Sequence, residues 1–211
     1  MEKIFFQKDN IDFIKIKEAL ERDNIIIYPT DTVYGVGGNI KSLKAIEKIY
    51  KAKERNFSSP LIALVSDKKY IEDIAYINEE NKDLIDKLIE NFWPGALTII
   101  LKKKDIVPEI MVSHGDTVGL RMPNLKISLD IIEASGGVMP TTSANISGEK
   151  TPRSYEELSE KFKERVEILI DGGKSPLGLE STIIDMSNSQ IKILREGAIK
   201  KETIEKIIGK F

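Results

Sequence analysis

Ile25-Ile26-Ile27-Tyr28-Pro29-Thr30-Asp31-Thr32-Val33-Tyr34-Gly35 begins as an apolar run and turns, at Pro29, into a cluster of hydroxyls. The run reads as a buried strand, and proline stops it because it has no N–H for a ladder. A second segment repeats the plan. Val138-Met139 is strand-like and leads into Thr141-Thr142-Ser143-Ala144-Asn145-Ile146-Ser147-Gly148. Both loops offer hydroxyls and backbone N–H groups with almost no charge of their own. Such loops suit close contact with a polar, anionic small molecule.

Working outward, helical periodicity marks Ile11 to Arg22, with Ile11, Ile14, Ala19 and Leu20 on one face. Ser42 is a cap for a helix to about Ala52, with Leu43, Ile46, Ile49 and Tyr50 inward. Asn81 to Phe92 places Leu84, Leu88, Ile89 and Phe92 on its apolar side, and Trp93-Pro94-Gly95 ends it. Ile127 to Ser135 is helical and stops at Gly136-Gly137. Ser154-Tyr155-Glu156-Glu157 reads as a capping box opening a helix to about Arg165, and a last helix starts near Lys201. Strands are expected at Leu61 to Val65, Ala96 to Leu101, Val118 to Arg121, Ile168 to Ile170, Thr182 to Met186 and Ile191 to Leu194. Helices and strands mix throughout, with no repeat or low-complexity linker. The expected fold is mixed α/β (α+β): one domain over residues 1–211, with helices packed on a twisted mixed sheet.

Composition narrows the chemistry. The 211 residues contain no cysteine, which removes disulfides, thiolate nucleophiles and Cys-based metal sites. The one histidine, His114, lies in a polar stretch and reads as a solvated loop residue, so no multi-histidine metal site is expected. A net charge of −2 argues against a non-specific nucleic-acid binder, although a local basic patch stays open. No apolar run approaches the ~20 residues that span a bilayer, so no membrane partner and a cytoplasmic location are expected.

Two phosphate-binding motifs fail. Gly35-Val36-Gly37-Gly38 resembles a dinucleotide fingerprint, but its third glycine is replaced by Ile40, and the segment reads as a turn. Gly173-Lys174-Ser175 resembles the end of a phosphate loop, but the required first glycine is Ile168. A nucleotide site here must be assembled from separate cations, hydroxyls and backbone N–H groups.

Four cations are candidates. Lys53 and Arg55 flank Glu54 just past a helix. In an extended segment they share a face and grip one triphosphate together; otherwise they are a solvated helix end. Arg121 and Arg195 each stand where a strand gives way to a turn, the position that borders the ligand crevice in open α/β sheets. Arginine is the side chain for planar, bidentate contact with carboxylate or phosphate.

Taken in order, these segments resemble the YrdC-type domain of threonylcarbamoyl-AMP synthases. The resemblance rests on Tyr28 to Gly35, Lys53-Glu54-Arg55 with Pro60-Leu61-Ile62, Trp93-Pro94-Gly95 and Gly119-Leu120-Arg121-Met122-Pro123. It continues through Thr142 to Gly148, Gly178-Leu179-Glu180-Ser181-Thr182 and Leu194-Arg195-Glu196-Gly197. It implies a concave site on the sheet and an enzyme, a nucleotidyltransferase. The reaction joins L-threonine, bicarbonate and ATP into L-threonylcarbamoyl-AMP and pyrophosphate for tRNA modification, with Mg2+ accompanying the nucleotide. Carried over by position, Thr32, Arg121, Thr141 and Ser181 hold threonine. Lys53, Arg55, Ser59, Thr117, Ser143, Asn145, Thr151 and Arg195 hold ATP, with Lys53 and Arg55 as the catalytic pair and no metal ligand among the residues. The same resemblance implies tRNA and downstream threonylcarbamoyl-transfer proteins as partners. Asn56, Ser59 and Leu64 depart from the family pattern, the last replacing a histidine common near the threonine. Longer relatives carry a further C-terminal domain, which is not expected here. The rival readings are a paralogue of the same type with another substrate and an RNA-binding module without ATP turnover.

Overall fold

A computed structural model describes residues 3–211. It is a single curved sheet of eleven strands: β1 (Ile4–Gln7), β2 (Ile26–Tyr28), β3 (Gly35–Gly37), β4 (Ile62–Val65), β5 (Ala75–Tyr76), β6 (Leu97–Lys103), β7 (Thr117–Arg121), β8 (Val138–Ser143), β9 (Ile168–Asp171), β10 (Thr182–Asp185) and β11 (Lys192–Arg195). The spatial order is β1-β9-β2-β3-β8-β4-β7-β6-β10-β11, with β5 on β6. Four pairs are parallel (β1 with β9, β2 with β9, β4 with β7, β6 with β10) and the rest antiparallel, giving the mixed sheet expected from the sequence. Seven helices cover it: α1 (Phe13–Glu21), α2 (Leu43–Ala52), α3 (Ile71–Ile74), α4 (Lys82–Phe92), α5 (Lys126–Ala134), α6 (Glu160–Lys163) and α7 (Lys201–Ile208).

The four-residue run at 25–28 shows how both faces are used. Successive strand residues point to opposite sides. Ile25 and Ile27 join the layer containing Ile46 and Ile49 of α2, Leu88 of α4 and Ile204 of α7. Ile26 and Tyr28 join the layer of Ile16 and Leu20 from α1 and Ile131 from α5. A strand buried on both faces must be apolar throughout, which is why no alternation is visible in it.

Several local expectations are corrected. Gly35-Val36-Gly37 is strand β3, not a turn. It lies between β2 and β8, and a Cβ on Gly37 would sit 2.7 Å from Met139 Sδ, so the glycines admit close packing. The second hydroxyl segment is strand as far as Ser143, so Thr141 to Ser143 are ladder residues on β8. The box at Ser154 opens no helix. The Glu157 carboxylate accepts from the Arg153 N–H, and Ser159 caps the short α6 instead. Ile14 and Leu43 point outward, and Ile16 takes the inward place assigned to Ile14. Strand β1, four residues long and not expected from the sequence, forms by parallel pairing with β9.

Candidate functional site

One cavity of about 170 Å³ opens where β3, β8, β4 and β7 meet the loop before β10. Its wall includes Thr32, Arg55, Arg121, Thr141, Ser143, Ser181 and Arg195, so seven of the residues singled out in the sequence converge on it. Thr30, Ile62, Leu64 and Glu180 complete much of the remainder.

Arg121 ends β7 and is buried. Its Nη1 donates to Asp31 Oδ1 at 2.8 Å and to the Gly95 carbonyl at 3.3 Å, and its Nη2 donates to Thr30 Oγ1 at 3.3 Å. Both side chains of the Arg121–Asp31 pair are 3% exposed. A buried guanidinium is tolerated because the carboxylate neutralises it. The pair leaves Asp31 Oδ2 and Arg121 Nε without partners. Asp31 received no role from the sequence, although it lies inside the opening motif. Its neighbouring hydroxyls were more visible as ligand groups.

Hydrogen bonds within the wall turn two hydroxyl protons away from the cavity. Thr30 Oγ1 donates to the Val33 carbonyl at 2.6 Å, so in its 2.9 Å contact with Thr32 it must accept. Thr32 therefore offers lone pairs to the cavity. Thr141 Oγ1 donates to the Met139 carbonyl at 3.1 Å and accepts from the Tyr28 hydroxyl at 2.8 Å. With its proton on the Met139 carbonyl, it too offers a lone pair to a ligand. The cavity wall thus combines a cation with two acceptors, the complement of a zwitterion.

Burial pushes the pKa of the Tyr28 hydroxyl well above its ordinary value, against the smaller opposing effects of Thr141 and Arg121. The sign follows directly. Above pH ~10 the unfolded chain ionises this tyrosine while the folded chain keeps it neutral, so stability falls as pH rises. Denaturant unfolding followed from about pH 9 to 11 should show a shallower fall in Tyr28→Phe than in the wild type. Equal slopes would contradict this.

Arg195, also on the wall, closes β11. Its Nε and Nη2 donate to the Ser181 carbonyl at 3.1 and 2.9 Å, and its Nη1 donates to Glu180 Oε2 at 2.9 Å. Ser181 Oγ is 2.8 Å from Thr98 Oγ1. Arg55 projects from the end of α2, with Nε on the Ser59 carbonyl at 3.1 Å and Nη2 on the Pro60 carbonyl at 3.2 Å.

Lys53 and Arg55 do not share an extended face. Lys53 is the helical cap of α2, Glu54 adopts φ 52°, and the Arg55 N–H returns to the Tyr50 carbonyl at 3.0 Å. This left-handed turn closes the helix in the manner usual for glycine. It sends Arg55 to the cavity and Lys53 into the protein, where Lys53 is 1% exposed. Lys53, Ser59, Thr117, Asn145 and Thr151 do not line the cavity. Asn145 packs behind Ser143 and accepts its hydroxyl proton at 2.6 Å. Ser59 anchors Arg55 and Tyr50 through its carbonyl. Thr117 lies at the opposite end of β7 from Arg121, and Thr151 precedes Pro152, whose carbonyl accepts from the Tyr34 N–H.

Among the described residues, no group of three or more His, Cys, Asp or Glu side chains is placed to hold a metal ion, and no helix is long and apolar enough to cross a membrane.

The sequence and the fold point to one family. Residues 18–197 match Sua5/YciO/YrdC, described as "Telomere recombination", and the chain belongs to that family. A threonylcarbamoyl-AMP synthase of Pyrococcus abyssi is 37% identical over 205 residues, covering 96% of this chain and 59% of that protein. A putative threonylcarbamoyl-AMP synthase of Methanocaldococcus jannaschii is 42% identical over 193 residues, covering 92% of this chain and 88% of its own length. The crystal structure of P. abyssi Sua5 complexed with L-threonine superposes with a TM-score of 0.89 at 36% identity, covering 99% of this chain and 61% of that one. The chain therefore spans about three-fifths of the P. abyssi protein.

Proposed function

We propose that this chain is an L-threonylcarbamoyladenylate synthase, a nucleotidyltransferase that makes L-threonylcarbamoyl-AMP and pyrophosphate from L-threonine, bicarbonate and ATP. The observation that carries the reading is the cluster of Arg121, Thr32 and Thr141 on the cavity wall. Arg121 offers a cation for the carboxylate, and Thr32 and Thr141 offer acceptors for the amine of one amino acid. The relatives' names and the threonine-bound P. abyssi structure support it.

In this reading Ser181 completes the threonine subsite. Arg55, Ser143 and Arg195 face the nucleotide, and Lys53, Ser59, Thr117, Asn145 and Thr151 act from behind the wall or at its margin. The ammonium of threonine gives one proton to solvent, and the neutral amine then joins bicarbonate with loss of water. A carbamate oxygen then attacks the α-phosphorus, and the bond to pyrophosphate breaks. No protein nucleophile is needed, in keeping with a chain that has no cysteine and one histidine. Charge accumulates on phosphate oxygens, and Arg55 and Arg195 are the cations on the wall that stabilise it. The residues do not fit a resident metal site. Glu180, the carboxylate on the wall, is engaged by Arg195, so magnesium belongs to this reading only as a companion of ATP. The proposed product serves tRNA modification in the cytoplasm, with tRNA and downstream threonylcarbamoyl-transfer proteins as partners, and residues 1–211 act as one domain.

Ligand-linked melting tests the amino-acid assignment. A ligand at a hundred times its Kd stabilises the folded state by about 2.7 kcal/mol. L-threonine should raise Tm clearly, and L-alanine, lacking the hydroxyl, should raise it less at equal concentration. An equal rise with both, or none with threonine, would count against the assignment.

A further inference from the structure

Among the described residues, Lys53 is a buried cation with no carboxylate partner. Its Nζ meets the Ser143 carbonyl at 2.5 Å, the Asn145 carbonyl at 2.7 Å, Asn145 Oδ1 at 3.2 Å and Ser143 Oγ at 3.5 Å. An ammonium has three protons, and three of these oxygens already account for them. No N–H remains for a phosphate. The backbone closes the same unit, since the Lys53 carbonyl accepts from the Ser147 N–H at 2.8 Å. Burying an ammonium costs several kcal/mol unless its protons are satisfied, so the cage of oxygens is what permits Lys53 to stand here.

Ser143 faces the cavity, and its hydroxyl donates inward to Asn145 Oδ1 at 2.6 Å. A hydroxyl in that orientation cannot donate to an anion. It must turn, and turning removes a donor from a buried amide oxygen, which is unfavourable if nothing replaces it. Lys53 Nζ supplies the replacement, because it already donates to the same Oδ1. The Asn145 amide nitrogen is fixed by donating to the Ile146 and Glu149 carbonyls, so the side chain does not flip.

We infer that Lys53 is a positioning residue: it holds the Ser143–Asn145 corner and keeps Asn145 Oδ1 satisfied, freeing the Ser143 hydroxyl to donate to a phosphate oxygen. The idea rests on the nucleotide reading given above. It differs from the sequence expectation, in which Lys53 and Arg55 grip the triphosphate side by side. Here Arg55 touches the ligand, and Lys53 acts through Ser143.

The test is a double-mutant cycle on Lys53→Met and Ser143→Ala, read as equilibrium binding of ATP and as KM for ATP and for threonine. Lys53→Met should weaken ATP roughly tenfold, the worth of one charge-assisted hydrogen bond, and leave the threonine KM within about twofold. Adding Ser143→Ala to it should cost little more. Additive losses, or an equal loss on the threonine side, would overturn the inference. Amide exchange without ligand gives a second reading. In Lys53→Met, residues 144–147 should exchange faster while α2 keeps its protection, and unchanged exchange at 144–147 would overturn the role at the corner. If wild-type protein binds no ATP, the proposed function fails, and the exchange result still decides the corner. If Lys53→Met does not fold, a crystal structure of the wild type with a non-hydrolysable ATP analogue decides instead. Nζ should stay on the Ser143 and Asn145 carbonyls, and a phosphate oxygen within about 3.2 Å of it would refute the inference.

Discussion

Arg55→Ala should lower turnover by about 10²- to 10³-fold while the protein stays folded. Removing one preorganised donor from a site of developing negative charge typically costs that much. Arg55 is held for this task. Two of its nitrogens are tied to the Ser59 and Pro60 carbonyls, and the side chain lies on the cavity wall. The two lost hydrogen bonds should cost about 1 kcal/mol each, and the Ser59 carbonyl keeps the Tyr50 hydroxyl as a donor. Steady-state pyrophosphate release beside a thermal melt separates the two effects. Unchanged kinetics would remove Arg55 from the chemistry.

Asp31→Ala should be the most destabilising single change near the cavity. It strips the carboxylate from Arg121 and leaves a buried guanidinium held only by the Gly95 carbonyl and Thr30 Oγ1. Breaking a buried pair from one side costs about 3–5 kcal/mol. For a protein of this size each kcal/mol shifts Tm by roughly 2–4 °C, so a fall on the order of 10 °C is expected by calorimetry. The threonine KM should rise with it, because Arg121 loses the partner that fixes its plane. A Tm within about 2 °C of wild type would mean that the pair contributes far less than its burial indicates.

The sequence made the ends of strands legible. Arg121 and Arg195 each follow an apolar run, and both stand on the cavity wall. The long helices were visible through their periodicity. What was hidden depended on partners distant in sequence. Gly35 to Gly37 looks like a loop motif and becomes a strand only because β2 and β8 lie on either side of it. Ser154 has the right neighbours for a capping box, but the Glu157 carboxylate is used by the Arg153 N–H. The direction of Lys53 was set by one dihedral angle at Glu54, and spacing does not encode that. The role of Asp31 is hidden in the sequence because its partner is 90 residues away.

The central claim is tested most directly by pyrophosphate release from ATP by the purified protein. The account predicts release only when L-threonine and bicarbonate are both present, with L-alanine a poor substitute for threonine. Release that ignores either co-substrate, or none under any combination, would contradict it.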